Sequence, residues 1–178
     1  MPKKISPQLR ARLRKIKLFL CDVDGVLTDT EVFMGLETEF KRFNIQDGLG
    51  LRLLAKCGIK VGWVSNRPSA ATSLRGIELK VDYLSQDKGK KVASVEAIMK
   101  QAGVTWAETL YMGDDIVDLG VLKRAGVAVA PANAIDEAKA LAHHVSKNRG
   151  GHGAVREAVQ LVLEAQGHWK KLVAEYLE

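Results

Sequence analysis

The chain has 178 residues, 47% of them hydrophobic, which is enough for one ordinary domain with its own core. Its formal net charge of +6 is concentrated at the start: the first 17 residues hold seven cations (Lys3, Lys4, Arg10, Arg12, Arg14, Lys15, Lys17) and no acid, so the remainder carries a net −1. A basic leader on a near-neutral body reads as a solvated arm over 1–16 and argues against nucleic-acid binding, and no apolar run reaches the length of a membrane span or follows the early cations as a signal peptide requires.

Cys21 and Cys57 provide neither a disulfide framework nor metal-ligand spacing, which points to a reducing cytoplasm. The first strand is the apolar run 18–21. It ends in Asp22-Val23-Asp24-Gly25. In an extended chain, positions 22 and 24 point the same way. Two like charges on one face repel unless a cation lies between them or one holds a proton; the plain alternative is a pair of carboxylates capping a turn. Residues 30–43 alternate apolar and polar around Gly35, which predicts a projecting β-hairpin with Val32 and Met34 on one arm and Phe40 on the other. Such a hairpin could shade the Asp22 pocket or pair with copies of itself.

Asp47 is placed to cap a helix through Leu49, Leu51, Leu53, Leu54 and Ala55 that Gly58 ends. A second strand over 59–64 closes in Ser65-Asn66-Arg67-Pro68, with Pro68 at the first position of a helix over 68–76. A third strand is expected near 81–84. A helix over 88–102 turns Val92, Val95, Ile98 and Met99 inward. A fourth strand, 109–112, runs into Gly113-Asp114-Asp115-Ile116-Val117-Asp118, followed by a helix over 116–125, a strand over 127–129 and a helix over 133–141. Residues 148–153 read as a flexible loop. A helix over 154–166 then buries Val155, Val159 and Val162, and a last turn or helix carries Trp169, Leu172, Val173 and Tyr176.

Strands alternating with helices of this length predict an α/β fold, a Rossmann-like parallel sheet with helices on both faces, in one domain over 17–178 with a C-terminal tail from about 147. Ligands in such sheets bind beyond the carboxyl ends of the strands. Those ends carry Asp22 and Asp24, then Ser65, Asn66 and Arg67, then Asp114, Asp115 and Asp118. These are the parts of aspartate-based phosphoryl transfer. Asp22 would serve as nucleophile and Asp24 as acid and base. Mg²⁺ would be held by Asp22, the Asp24 carbonyl and Asp114, with Asp115 and Asp118 behind as orienting groups. Ser65 and the Asn66 amide suit phosphate oxygens, and a lysine completes the charge compensation.

The segments DVDGV at 22–26, Ser65, a lysine among Lys88, Lys90 and Lys91, and GDDIVD at 113–118 resemble the four motifs of the haloacid dehalogenase superfamily. The second aspartate of the first motif implies a phosphotransferase rather than a dehalogenase. Counting back from Gly103 favours Lys91 as the third-motif lysine. With only a hairpin between the first two motifs, a large cap domain is absent. The chain is similar to the capless 3-deoxy-D-manno-octulosonate 8-phosphate phosphatase family, in DVDGVLTD, the stretch 43–50, KQAGV at 100–104 and GGHGAVRE at 150–157.

That resemblance implies a phosphorylated sugar acid as substrate, a homotetramer, phosphate contacts from Ser65, Asn66 and Lys91, and substrate contacts from Asp24, Asn44, Ile45, Gln46, Asp47, Gly48, Arg52, Arg67 and Arg75. Arg156 and the loop 150–153 gain a role if a tail closes a neighbour's site. Arginine forks suit a molecule that carries both a carboxylate and a phosphate. A nine-carbon relative of the sialic-acid type is the alternative substrate, and a non-catalytic oligomerisation module the alternative class. The chain has Ser65-Asn66-Arg67 where this family usually has Thr-Gly-Arg, and Asp87 where it usually has glycine; both leave the chemistry intact and bear on the substrate.

Overall fold

The computed structural model describes residues 5–35 and 38–177. Along the chain come α1 (Pro7–Leu13), β1 (Leu18–Cys21), β2 (Phe33–Met34), β3 (Glu39–Phe40), α2 (Ile45–Lys56), β4 (Lys60–Val64), α3 (Ala70–Leu79) and β5 (Tyr83–Ser85). There follow α4 (Lys91–Ala102), β6 (Thr109–Met112), α5 (Leu119–Leu122), β7 (Val127–Ala130), α6 (Asp136–Leu141), β8 (His144–Val145), α7 (Ala154–Ala165) and α8 (Trp169–Glu175). Six strands form one parallel sheet in the order β5-β4-β1-β6-β7-β8, and β2 pairs antiparallel with β3 as a separate hairpin.

The two-residue period of the strands sorts their side chains between two cores. Phe19, Cys21, Leu110, Met112, Val127 and Val129 face the layer that holds Leu51, Leu54, Val155 and Val159 of α2 and α7. Leu18, Leu20, Tyr111, Ala128 and Ala130 face Val95, Met99, Val121 and Leu122 of α4 and α5. Every residue of β1, β6 and β7 is buried, as strands covered on both sides require. β1 lies between β4 and β6, so the chain leaves it to one side and later returns on the other. The carboxyl end of such a switch strand opens onto a crevice.

Several boundaries differ from expectation for local reasons. From Ile5 onward the basic leader is not a free arm: the Ser6 hydroxyl accepts a hydrogen bond from the Leu9 amide, and Leu9, Leu13 and Ile16 bury beside α7. Those three apolar residues recur at helical spacing, so one short helix turns its cations out and its leucines in. Lys3 and Lys4 lie outside the described residues. Asn44, not Asp47, caps α2, its Oδ1 accepting from the amides of Gln46 and Asp47. Ser69 caps α3, so that helix begins after Pro68 and runs to Leu79. α4 starts at Lys91, and residues 116–118 form a 3₁₀ turn before the single turn of α5. β8 was not anticipated; two residues are too few to show a period.

Candidate active site

The first-motif loop is held from several directions. The Asp22 amide donates to the Met112 carbonyl at 2.9 Å, which extends the β1–β6 ladder past the strand, and Asp22 Oδ1 accepts from the Val23 amide at 2.7 Å. Gly25 follows with φ +89°, and a Cβ there would stand 2.0 Å from Asp114 Oδ2. Only glycine allows that turn at that distance. The expected flexible loop at 148–153 is instead a brace behind it. The Gly150 amide donates to Asn133 Oδ1 at 2.6 Å, Asn133 Nδ2 donates to the Gly25 carbonyl at 2.9 Å, and the Gly151 amide donates to the Val26 carbonyl at 3.1 Å. A Cβ on Gly150 would fall 1.9 Å from the Gly25 carbonyl oxygen, so the glycines serve close backbone approach rather than mobility.

Lys91, the first residue of α4, turns inward. Its buried ammonium lies 2.8 Å from Asp22 Oδ2 and 2.7 Å from Asp118 Oδ1. Lys88 and Lys90 are exposed. Asp118 is fully engaged: Oδ1 also accepts from the Tyr111 hydroxyl at 2.6 Å, and Oδ2 accepts from the amides of Asp114 and Asp115. It therefore orients Lys91 and the fourth-motif loop together. Burial, with the nearby Asp118 carboxylate, pushes the Asp22 pKa up to about 7 against the opposing pull of Lys91. Burial, with Asp22 and Asp118, pushes Asp114 up to about 8. Burial alone would lower the Lys91 pKa, but the Asp22 and Asp118 carboxylates outweigh it and raise it.

Three carboxylates thus face one ammonium. Asp22, Asp114 and Asp118 each offer an oxygen within 4.8 Å of the others, and Asp114 Oδ1 is buried with no hydrogen-bond partner among the described residues. Asp118 has both oxygens engaged and Asp22 already meets the Val23 amide and Lys91, so Asp114 Oδ1 with Asp22 beside it would hold a hard divalent cation, and an all-oxygen set suits Mg²⁺.

On the β4 side, Ser65 is buried and its hydroxyl accepts from the Arg67 amide at 3.0 Å. Asn66 Nδ2 donates to the Gly89 carbonyl at 2.7 Å, which ties the second-motif loop to the turn that delivers Lys91. Asp22, Asp24, Asn66, Arg67, Lys91 and Asp114 share one cleft of about 290 Å³, with Thr30, Asp115 and Val117 at its wall. Asp115 is exposed there, and its Oδ1 accepts from the Ile116 amide. Asp87 accepts from the Ser85 hydroxyl at 2.8 Å and is exposed outside that cleft.

The remaining expected substrate contacts lie elsewhere within one chain. Arg52 is exposed on α2. Arg75 pairs with Glu78 at 2.7 Å and lines a separate groove of about 730 Å³ between the hairpin and α3, with its Nη2 directly over Gly48. Asn44 is a helix cap and Ile45 is exposed. Gln46 lends its carbonyl to Arg156 Nη1 at 3.4 Å. Asp47 is buried and accepts from the amides of Gly153 and Arg156, so it anchors the start of α7. Arg156 sits 5.1 Å over the Trp169 ring, on the side of α2 that faces the tail. Sequence reasoning missed Glu39 and Lys41: Glu39 bonds Arg67 and Ser69, and Lys41 reaches Asp24. The strand alternation of 39–41 was the available signal.

Residues 78–158 match the haloacid dehalogenase-like hydrolase family. The 3-deoxy-D-manno-octulosonate 8-phosphate phosphatase of Haemophilus influenzae is 38% identical over 160 residues, covering 89% of each chain. The cobalt-bound structure of the Haemophilus influenzae phosphatase superposes with a TM-score of 0.83 at 38% identity, over 88% of this chain and 92% of the other. A crystal structure of the Moraxella catarrhalis phosphatase, in complex with magnesium ion, phosphate ion and KDO, superposes with a TM-score of 0.92 at 33% identity, over 95% of this chain and 98% of the other. With its motif residues gathered at the carboxyl ends of β1, β4 and β6, the chain belongs to the haloacid dehalogenase-like hydrolases, in the 3-deoxy-D-manno-octulosonate 8-phosphate phosphatase family.

Proposed function

We propose that the protein is a Mg²⁺-dependent phosphatase that hydrolyses 3-deoxy-D-manno-octulosonate 8-phosphate to the free sugar acid and phosphate, a step in lipopolysaccharide precursor synthesis. The observation that carries this reading is the buried Lys91 ammonium, 2.8 Å from Asp22 and 2.7 Å from Asp118, beside Asp114 Oδ1, which has no partner among the described residues. Mg²⁺ held by Asp22 and Asp114 supplies positive charge for the phosphate oxygens. Asp22 attacks phosphorus to form an aspartyl-phosphate. Asp24 gives a proton to the leaving oxygen and then takes one from the water that hydrolyses the intermediate. Lys91, Ser65 and the Asn66 amide bind the phosphoryl oxygens, and Asp118 keeps Lys91 in place. Arg67, at the wall of the cleft, binds the substrate carboxylate in exchange for Glu39.

The reading extends to a cytoplasmic homotetramer. Phe33, Met34 and Phe40 of the hairpin are 63%, 71% and 65% exposed, and Leu74 and Ile77 of α3 are exposed near them. Covering these residues with a second copy brings foreign side chains to the groove that holds Arg75 and gives Arg52, Arg75, Arg156 and residues 44–48 a shared site that one chain does not assemble. The two free thiols, Cys21 and Cys57, suit a reducing compartment. No helix of the described residues is long and apolar enough to cross a membrane.

The test is phosphate release from a panel of eight- and nine-carbon ulosonate phosphates and simpler sugar phosphates, with Mg²⁺ and with chelator. Mg²⁺-dependent turnover that favours the eight-carbon acid is expected. A preference for the nine-carbon acid would transfer the assignment to the sialic-acid branch, and no turnover of any phosphate would leave an assembly module.

A further inference from the structure

Lys41 follows β3 on the hairpin's return arm. Phe40 before it is exposed, and Arg42 after it pairs with Asp29 at the surface. The Lys41 side chain, by contrast, is wholly buried, with 0% exposure. Lysine is almost never found so unless it is paired, because taking an ammonium out of water is unfavourable. Its partners are specific. Nζ lies 2.7 Å from Asp24 Oδ1 and donates to the Thr72 hydroxyl at 3.1 Å, and Thr72 is itself buried in the first turn of α3. The other oxygen of the same carboxylate, Asp24 Oδ2, is buried and has no partner among the described residues.

We propose that Lys41 is the positioning residue for the proton-transfer group. It holds Asp24 through Oδ1, which accepts the lysine's hydrogen bond whether or not the carboxyl carries a proton, and so reserves Oδ2 for the leaving oxygen. This inference rests on the proposed role of Asp24. In the first step a bond forms between an Asp22 oxygen and phosphorus as the phosphorus–sugar oxygen bond breaks, and that oxygen takes the proton from Asp24 Oδ2. In the second, a water oxygen attacks phosphorus, its proton returns to Oδ2, and the Asp22–phosphorus bond breaks to release phosphate. Lys41 touches no reacting atom. It acts by fixing one torsion of Asp24 and by making that torsion depend on how the hairpin sits on α3. If its task were only to anchor the hairpin, an apolar residue would serve without the desolvation cost, and Phe43 already does so by stacking on Trp63 with ring centroids 6.3 Å apart.

Leaving groups separate positioning from anchoring. A sugar alkoxide needs a proton to depart, whereas 4-nitrophenolate hardly does, so general-acid catalysis, on the order of 10²–10⁴-fold, matters for the first and little for the second. The experiment measures kcat/KM of the full-length Mg²⁺-loaded enzyme with the ulosonate phosphate and with 4-nitrophenyl phosphate. Lys41→Met is expected to lose about a hundredfold on the sugar phosphate and less than about tenfold on the nitrophenyl ester, with Lys41→Arg recovering part of the difference. Thr72→Val, which removes the ammonium's second partner, shifts the ratio the same way by less and carries the test if Lys41→Met does not fold. Arg42→Ala loosens the hairpin at the surface and keeps the wild-type ratio. Equal losses on both substrates in Lys41→Met and Thr72→Val would overturn the proposal and reduce Lys41 to an anchor. A wild-type enzyme inactive on both substrates would defeat the phosphatase reading itself.

Discussion

The carboxyl end of the sheet and the outer face of the hairpin with α3 are close neighbours built on opposite terms. At the sheet end, Asp22, Lys91, Asp114 and Asp118 are all buried, and their positions are over-determined by backbone amides, the Tyr111 hydroxyl and the glycine brace. On the hairpin face, large apolar side chains stand in water around the groove of Arg75, which Glu39, Lys41 and Phe43 also line. Phosphoryl transfer needs electrostatic groups fixed before the substrate arrives, which one chain's core can achieve. In the function proposed above, recognition of the sugar acid would fall to this second surface, whose exposed apolar residues suit the proposed second copy.

The largest effect that would sharpen this contrast comes from Asp22→Asn. Loss of the nucleophile is expected to lower kcat by on the order of 10⁴ or more, measured as phosphate release under saturating substrate. Because the substitution removes a buried charge, the thermal midpoint in chelator should hold or rise. A large drop in that midpoint would mean that the carboxylate is structural. Next is Arg67→Ala, at the border of the two regions. One charge-assisted contact of about 1.5–3 kcal/mol corresponds to KM rising by roughly ten- to a hundredfold with kcat little changed; an equal fall in kcat would place Arg67 in the chemistry instead.

A smaller, stability-level effect concerns the cation. Asp22 and Asp114, with pKa values of about 7 and 8, are higher in the folded chain than the ordinary carboxylate value of 3.8. A carboxyl shifted this way favours the fold while protonated, so its contribution is full below about pH 4 and is lost as pH rises towards 7–8. Lys91, whose pKa is raised, stays charged across this window. In chelator the midpoint should therefore be a few degrees higher at pH 5.5 than at pH 8.5, and Mg²⁺ should raise it most at pH 8.5. A Mg²⁺ shift of the same size at both pH values would break the link between those carboxyls and the metal. The mildest change is expected from Phe40→Glu on the hairpin face: a smaller species by light scattering, and 4-nitrophenyl phosphate turnover within a few-fold of wild type. Complete loss of that turnover would erase the division between the two regions.

Much of the site was legible because its residues sit at fixed offsets from apolar strands. Asp22, Ser65 and Asp114 each follow a strand whose hydrophobic run marks its own end, and the count back from Gly103 singled out Lys91 from its neighbours. Other features were not. Leu9, Leu13 and Ile16 were masked by the cations between them, and the glycines at 150–153 suggested freedom where they serve contact with Gly25. Asp47 looked like a cap and is a link to α7.

By itself, the sequence determined the parallel sheet, the strand ends and the kind of chemistry placed there, since hydrophobic periodicity and motif spacing are local properties of the chain. Only the tertiary structure decided that Asp118 holds Lys91 rather than standing free, that Asn133 and Gly150 brace the first-motif loop, and that Lys41 of the hairpin reaches Asp24. Each of these is a contact between segments far apart in the chain. Their partners are set by how strands and helices stack, and no local pattern records that.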